Sequence, residues 1–288
     1  MLLMIVIAGL IYFCQDRRCM MPGDRPKVGL ALSAGALRGF CHLGVLQVLD
    51  AEGIPVDYIA GSSIGALIGA FYAAGFDMSF LSRIAKHLRL RHIVDPTFPR
   101  QGFLLGQKIN DFLRLFFRDT TFEQLKVPLA VVATDLRYGK EVVFKEGSVI
   151  DAIRASIAIP GIFAPVYQND QVLVDGGLVN RVPVSIVREM GADIVIAVKI
   201  NLPVTAQRLR NVADIIMQSF DLMQVQVMEH KMLAADIIIE PNVAGYSRTG
   251  FEHVEQCVEA GIVATRIKLP LFKSLCTKYT SDSHVPKG

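Results

Sequence analysis

This sequence predicts an α/β fold with a mostly parallel central sheet, and three observations predict it. Short apolar runs rich in β-branched residues alternate with stretches of helical periodicity. Glycine-bearing turns join them, and no internal repeat is evident. The composition, 52% hydrophobic and 20% charged over 288 residues, lets a chain of this length bury a substantial core.

Taken in order, 1–26 reads as an N-terminal hydrophobic segment and linker, 27–280 as one domain and 281–288 as a tail. Lys27–Ser33 is an apolar run suited to a buried strand. The turn Ala34–Gly39 follows, then a helix over Phe40–Glu52, where Leu43, Leu46 and Leu49 recur at helical spacing and Gly53 ends it. Asp57–Gly61 reads as a second strand, with helices over Ile64–Ala74 and Met78–Leu90. Residues 93–106, with Pro96, Pro99, Gly102 and Gly106, read as a loop, and Gln107–Phe117 as an amphipathic helix. Leu129–Leu136 and Glu141–Phe144 read as strands and Ser148–Ile157 as a helix. Val172–Val174 is a strand ending in Asp175-Gly176-Gly177, followed by a helix at Val184–Met190 and a strand at Asp193–Ile200. A helix from about Leu209 to Ala235, a strand at Asp236–Glu240 and a last helix at Phe251–Tyr279, broken at Pro270, complete the chain.

The bulk chemistry excludes some classes. A net charge of +3 without a dense Lys/Arg cluster gives no footprint for nucleic acid. The five cysteines, Cys14, Cys19, Cys41, Cys257 and Cys276, are odd in number and form no CxxC pair. That argues against a disulfide framework or a zinc site and fits a reducing compartment. A mean hydropathy of +0.40 points to a deeply buried sheet or a membrane-facing surface. Met1–Cys14 is uncharged and apolar, too short to span a bilayer comfortably, and lacks a basic n-region and A-x-A site. It reads as a surface anchor or an incidental extension. As an anchor, with Arg17 and Arg18 behind it, it would place the domain cytoplasmic or peripheral to the inner membrane.

Three short motifs carry chemistry. Gly61-Ser62-Ser63-Ile64-Gly65 is a G-x-S-x-G pentapeptide between a strand and a helix. A nucleophilic serine needs that sharp turn to project its hydroxyl, and glycines flank it because backbone packs close there. The same window, Tyr58–Phe76, is uncharged, and its Gly61/Gly65/Gly69 ladder also reads as a membrane-helix interface. The turn Ser33–Gly39 places Gly35, Ala36, Leu37 and Arg38 where backbone N–H groups could form an oxyanion hole, with an ordinary βα turn as the plainer reading. Asp175-Gly176-Gly177 offers a carboxylate with close access to a neighbouring loop, or simply a turn.

Together the blocks Gly29–Leu46, Gly61–Gly65, Ala155–Val166 and Leu173–Pro183, with Ala133–Leu136, make the chain resemble a patatin-like phospholipase of the bacterial branch, over roughly residues 27 to 200. The resemblance implies a patatin-like three-layer α/β/α fold with a mostly parallel central sheet. It also implies a Ser–Asp dyad without histidine: Ser63 as nucleophile, Asp175 as base, and Gly35, Ala36, Leu37 and Arg38 as the oxyanion turn. Gly61 and Gly65 form the nucleophile elbow. The family often has three consecutive glycines in that turn, whereas this chain has Ala34, Gly35, Ala36, and alanine resists a positive φ. His42, in the first helix, reads as structural, and the Pro160-Gly161 turn as a buttress.

The implied reaction is ester hydrolysis through an acyl-enzyme, with an acyl lipid as substrate, a membrane surface as partner, and no cofactor or metal. Phe103, Leu104, Leu105, Phe112, Leu115, Phe116 and Phe117 would line an acyl groove, touch a bilayer or fill the core. Two rivals stand beside this reading. One is an α/β-hydrolase with a Ser63–Asp175–His230 or His253 triad. The other is a non-enzymatic membrane scaffold built on 1–14 and the glycine ladder.

Overall fold

The computed structural model describes residues 25–93, 95, 102–201, 212, 215, 216, 218, 219, 222, 223, 234–247 and 249–282. Its strands are β1 (Val28–Leu32), β2 (Tyr58–Ser62), β3 (Gly102–Leu104), β4 (Leu129–Asp135), β5 (Lys140–Phe144), β6 (Gly161–Phe163), β7 (Val166–Gln168), β8 (Gln171–Asp175), β9 (Ile194–Val198) and β10 (Ile237–Ile239). The helices are α1 (Cys41–Ala51), α2 (Ile64–Ala73), α3 (Met78–His87), α4 (Leu90–Ile93), α5 (Gln107–Phe117), α6 (Val149–Ser156), α7 (Val184–Glu189) and α8 (Val254–Asp282).

The main sheet runs β10-β9-β1-β2-β4-β8-β7, with β5 also on β4. β10, β9, β1, β2 and β4 are parallel, and β5, β8 and β7 are added antiparallel. Strand alternation sorts the side chains to two faces. Leu30, Leu32, Ile59, Val131 and Ile196 point into the larger core, shared with residues of α1, α2, α5, α6 and α8. Burying each such side chain contributes about 1.5–3 kcal/mol. On the opposite face, Ala197, Ala31, Ala60 and Ala130 lie in register across four strands. These short side chains leave room for Val184, Ile186 and Val187 of α7 to pack directly on the sheet. The sheet is thus a middle layer between two apolar faces.

Several expectations need correction. Tyr58–Phe76 is strand β2 followed by α2, so the glycine ladder is no membrane helix. No helix among the described residues is long and apolar enough to cross a membrane. The loop at 93–106 contains β3, which pairs in parallel with β6, just after the Pro160-Gly161 turn. Neither three-residue strand carries enough alternation to register as a period. The predicted Met78–Leu90 helix ends at His87, and a separate turn, α4, follows. Pro270 does not break α8. It lies at an exposed position, where water can hydrogen-bond the carbonyl its missing N–H releases. Residues 1–24, His230 and most of the 209–235 helix lie outside the described residues.

Candidate active site

Strand β4 brings the two candidate catalytic residues together. Its residues Val131 and Val132 pair with β2 on one edge and β5 on the other. Ala133, Thr134 and Asp135 pair with β5 and β8. β8 therefore occupies the same edge as β2 but runs the opposite way. The two strands end nose to nose: Ser62 sits opposite Val132 and Asp175 opposite Ala133. Ser63 leaves the end of one strand as Asp175 closes the end of the other.

At that junction the Ser63 hydroxyl donates to Asp175 Oδ2 at 2.6 Å. Ser63 stands at φ 54, ψ −124, a strained conformation for a residue with a side chain. Close packing holds it there. A Cβ on Gly65 would lie 2.3 Å from the Leu32 carbonyl oxygen, and one on Gly61 would lie 2.5 Å from the Ala66 amide. Only glycine lets the elbow sit against β1 and α2 this tightly. The Ser63 amide donates to the Ser156 hydroxyl at 2.8 Å, and that hydroxyl donates to the Val132 carbonyl at 2.5 Å.

Asp175 is equally constrained. Its Oδ1 accepts the Gly177 amide at 2.8 Å, and its own carbonyl accepts from the Thr134 hydroxyl at 2.9 Å. Burial pushes its carboxyl up to about 6, against the Ser63 and Gly177 hydrogen bonds and the nearby Arg181 charge, which act to lower it. A carboxylate of that basicity takes a hydroxyl proton more readily than one near 4.

The turn after β1 is a 3₁₀ turn, Ala36–Phe40. Such a turn leaves its first amides, those of Ala36 and Leu37, without acceptors inside the helix. Gly35 takes an extended φ of −178, while Ala36 takes φ +49. The alanine thus adopts the left-handed backbone that its side chain resists. The Arg38 guanidinium serves a bracing role. It is buried, and it donates to the carbonyls of Tyr246 and Ala244 at 2.8 and 2.7 Å.

An apolar cavity of about 110 Å³ adjoins the elbow. Its lining includes Leu37, Ile64 and Ile157, each next to a residue of the site, and Ile84, Ile93 and Phe112 of α3, α4 and α5. The seven residues flagged as a possible acyl groove therefore divide. Phe112 faces the cavity and Phe117 is buried in the core, whereas Phe103, Leu105 and Leu115 are exposed.

The sequence profile of the patatin-like phospholipases matches residues 30–188. The chain belongs to the patatin-like phospholipase family.

Within this family, the chain is 42% identical over 179 residues to an uncharacterized NTE family protein of Mycobacterium tuberculosis; the match covers 61% of this chain and 49% of that protein. It is 34% identical over 181 residues to patatin-like phospholipase domain-containing protein 6 of Mus musculus, covering 60% of this chain and 13% of that protein. The aligned region thus spans about half the length of the mycobacterial relative. The crystal structure of VipD from Legionella pneumophila superposes with a TM-score of 0.51 at 14% identity, over 86% of this chain and 67% of that one. That likeness concerns the fold.

Two of the described histidines, His42 and His253, have partners of their own in this patatin-like chain. His253 stacks on Tyr246 with ring centroids 5.3 Å apart and accepts the Ser247 amide. His42 is fully buried, its Nε2 2.8 Å from the Ser33 carbonyl, and burial lowers it to about 4, so it is neutral and donates there. It holds the start of the turn that follows β1. Sequence reading missed Ser156 and Thr134, the hydroxyls that fix Ser63 and Asp175. Nothing local marks a serine in the last turn of a helix as a strut. Among the described residues no group of His, Cys, Asp and Glu is arranged to hold a metal.

Proposed function

We propose that this chain is a serine acyl hydrolase that cleaves carboxylic ester bonds of acyl lipids through a Ser63–Asp175 dyad. The observation that carries the reading is the 2.6 Å hydrogen bond from the Ser63 hydroxyl to Asp175 at a strained elbow. The proton leaves Oγ for Asp175 Oδ2 as Oγ attacks the ester carbonyl. Negative charge develops on the carbonyl oxygen, and the amides of the 35–38 turn stabilise it. Each such donor is worth about 2.7–4 kcal/mol in comparable sites. Asp175 returns the proton to the departing alcohol, which leaves Ser63 acylated. Water then repeats the cycle, with Asp175 taking its proton and Ser63 leaving.

The adjoining cavity favours an acyl chain over a polar substrate, because its walls are aliphatic and aromatic side chains. A triad through His253 has less support: Asp175 gives its oxygens to Ser63 and Gly177, and His253 bonds to a different loop.

A fluorophosphonate probe tests the proposal. Labelling that disappears in Ser63→Ala, followed by ester release from a panel of phospholipids, lysophospholipids and neutral esters, supports it. Folded protein that takes no label argues for a scaffold. Loss of turnover in His253→Ala equal to that in Ser63→Ala argues for a triad.

A further inference from the structure

The outer surface of α3, α4, β3 and the start of α5 carries a charge pattern that the dyad does not use. Arg83, Lys86, Arg89, Arg91 and Lys108 are all exposed there. Lys108 joins the group because its ammonium donates to the Arg91 carbonyl at 3.1 Å. Lys86 pairs with Glu255 at 2.8 Å. Asp95, set among these cations, gives its carboxylate to the amides of Gly106 and Gln107 at 2.9 and 2.6 Å. With Glu255, Asp95 and the exposed Asp111 of α5 counted, the five cations remain in excess.

Two apolar side chains of β3 and the residue after it are exposed as well. Phe103 and Leu105 are 49% and 48% exposed. The Leu105 amide donates to the Asp95 carbonyl at 3.3 Å, which fixes the end of β3 beside the basic segment. The inner surfaces of these elements supply Leu88, Ile93, Ile109 and Phe112 to the cavity that reaches Ile64 and Ile157. Outside, then, the layer is basic with exposed apolar groups; inside, it lines the apolar space that reaches Ile64, the residue after Ser63.

A partner for this face must be anionic at its surface and apolar just beneath. A bilayer containing anionic lipids meets both demands. A nucleic acid or an acidic protein supplies the charge but no acyl layer for Phe103 and Leu105. We propose that this face seats the protein on an anionic bilayer, with the arginines among the lipid phosphates and Phe103 and Leu105 in the acyl boundary. The inference deepens the hydrolase reading and rests on it only for its purpose: docking here presents the cavity wall to the membrane that holds the acyl chains.

Co-sedimentation of the full-length Ser63→Ala chain with vesicles tests the proposal without chemistry. Vesicles of phosphatidylcholine containing phosphatidylglycerol should bind it more tightly than phosphatidylcholine alone, and rising salt should weaken the difference. Adding Arg89→Ala with Arg91→Ala should lower affinity for the anionic vesicles roughly 30-fold, at about one surface charge's attraction per arginine. Arg89→Lys with Arg91→Lys should restore it, and Phe103→Ser with Leu105→Ser should weaken it while the thermal midpoint holds. Equal binding to both vesicle types overturns the proposal. So does full anionic-vesicle binding by a folded Arg89→Ala, Arg91→Ala variant, or retention on a soluble polyanion such as heparin with no vesicle binding. Absence of probe labelling at Ser63 would remove the hydrolase reading and leave these vesicle outcomes as informative as before.

Discussion

The hydroxyl of Ser156 lies between the Ser63 amide and the Val132 carbonyl, at 2.8 and 2.5 Å. It ties the Ser63 backbone to the strand on which β8 delivers Asp175. Removing it leaves a buried donor and a buried acceptor unpaired, which costs about 1–3 kcal/mol. Ser156→Ala should therefore lower the thermal midpoint and reduce kcat roughly tenfold, as Ser63 loses its aim. KM should change little, because the cavity walls are untouched. Steady-state kinetics on a soluble ester check this: a changed KM with unchanged kcat would place Ser156 in substrate binding instead.

Asp175 carries a stability cost from its burial. Its folded carboxyl sits at about 6 against an ordinary value of 3.8, because burial penalises the charge. The folded protein thus holds this proton more tightly than the unfolded chain. The group's contribution is fully present below about 4 and is lost as pH rises through about 6. A shift of that size amounts to about 2–3 kcal/mol at neutral pH. Asp175→Asn removes the buried charge and should raise the thermal midpoint at pH 8 by several degrees while abolishing probe labelling at Ser63. Melting curves at pH 4 and pH 8 check it: the gain should shrink at the lower pH, where the wild-type carboxyl is already neutral.

The same value sets the pH dependence of turnover. A base must be ionised to accept the Ser63 proton, so kcat/KM should climb with unit slope up to about pH 6 and level off above it. The positive charge of Arg181 helps keep Asp175 ionised. Arg181→Gln should move the acid limb to higher pH. An unmoved limb in a folded Arg181→Gln variant would assign the titration to a different group.

Much of this arrangement is readable from residue order, and the unreadable parts share a cause. β1, β2, β4 and β9 are runs such as Ile194–Val198, buried on both faces, and apolar continuity betrays them. The G-x-S-x-G elbow and the Asp-Gly-Gly strand end are likewise local patterns. What no local pattern holds is pairing. Nothing in Gln171–Asp175 says that it runs antiparallel to β4 on the edge that β2 vacates, yet that choice brings Asp175 to Ser63. β3 and β6 are similarly invisible, because each is three residues long and gains its hydrogen bonds from the other. Ser156 and Thr134 act only through partners distant in the chain.

Ala36, in the turn after β1, is an alanine in a backbone conformation that favours glycine. It holds φ +49, where a side chain costs about 1 kcal/mol or more. Glycine there relieves that strain but gives the unfolded chain more freedom, an opposing effect of about 0.4–1 kcal/mol. Ala36→Gly should therefore change stability by no more than about 1 kcal/mol, in the stabilising direction, and leave probe labelling at Ser63 intact, since the amide is unchanged. Ala36→Val is the contrasting case. A β-branched residue at this φ is a steric outlier, so the turn must flip and withdraw its amides. Labelling should then slow by roughly 100-fold or more, the scale on which losing one oxyanion donor acts. Labelling rates for the two variants beside their melting curves separate the outcomes: rapid labelling in a folded Ala36→Val protein would mean that the amides of this turn do not hold the oxyanion.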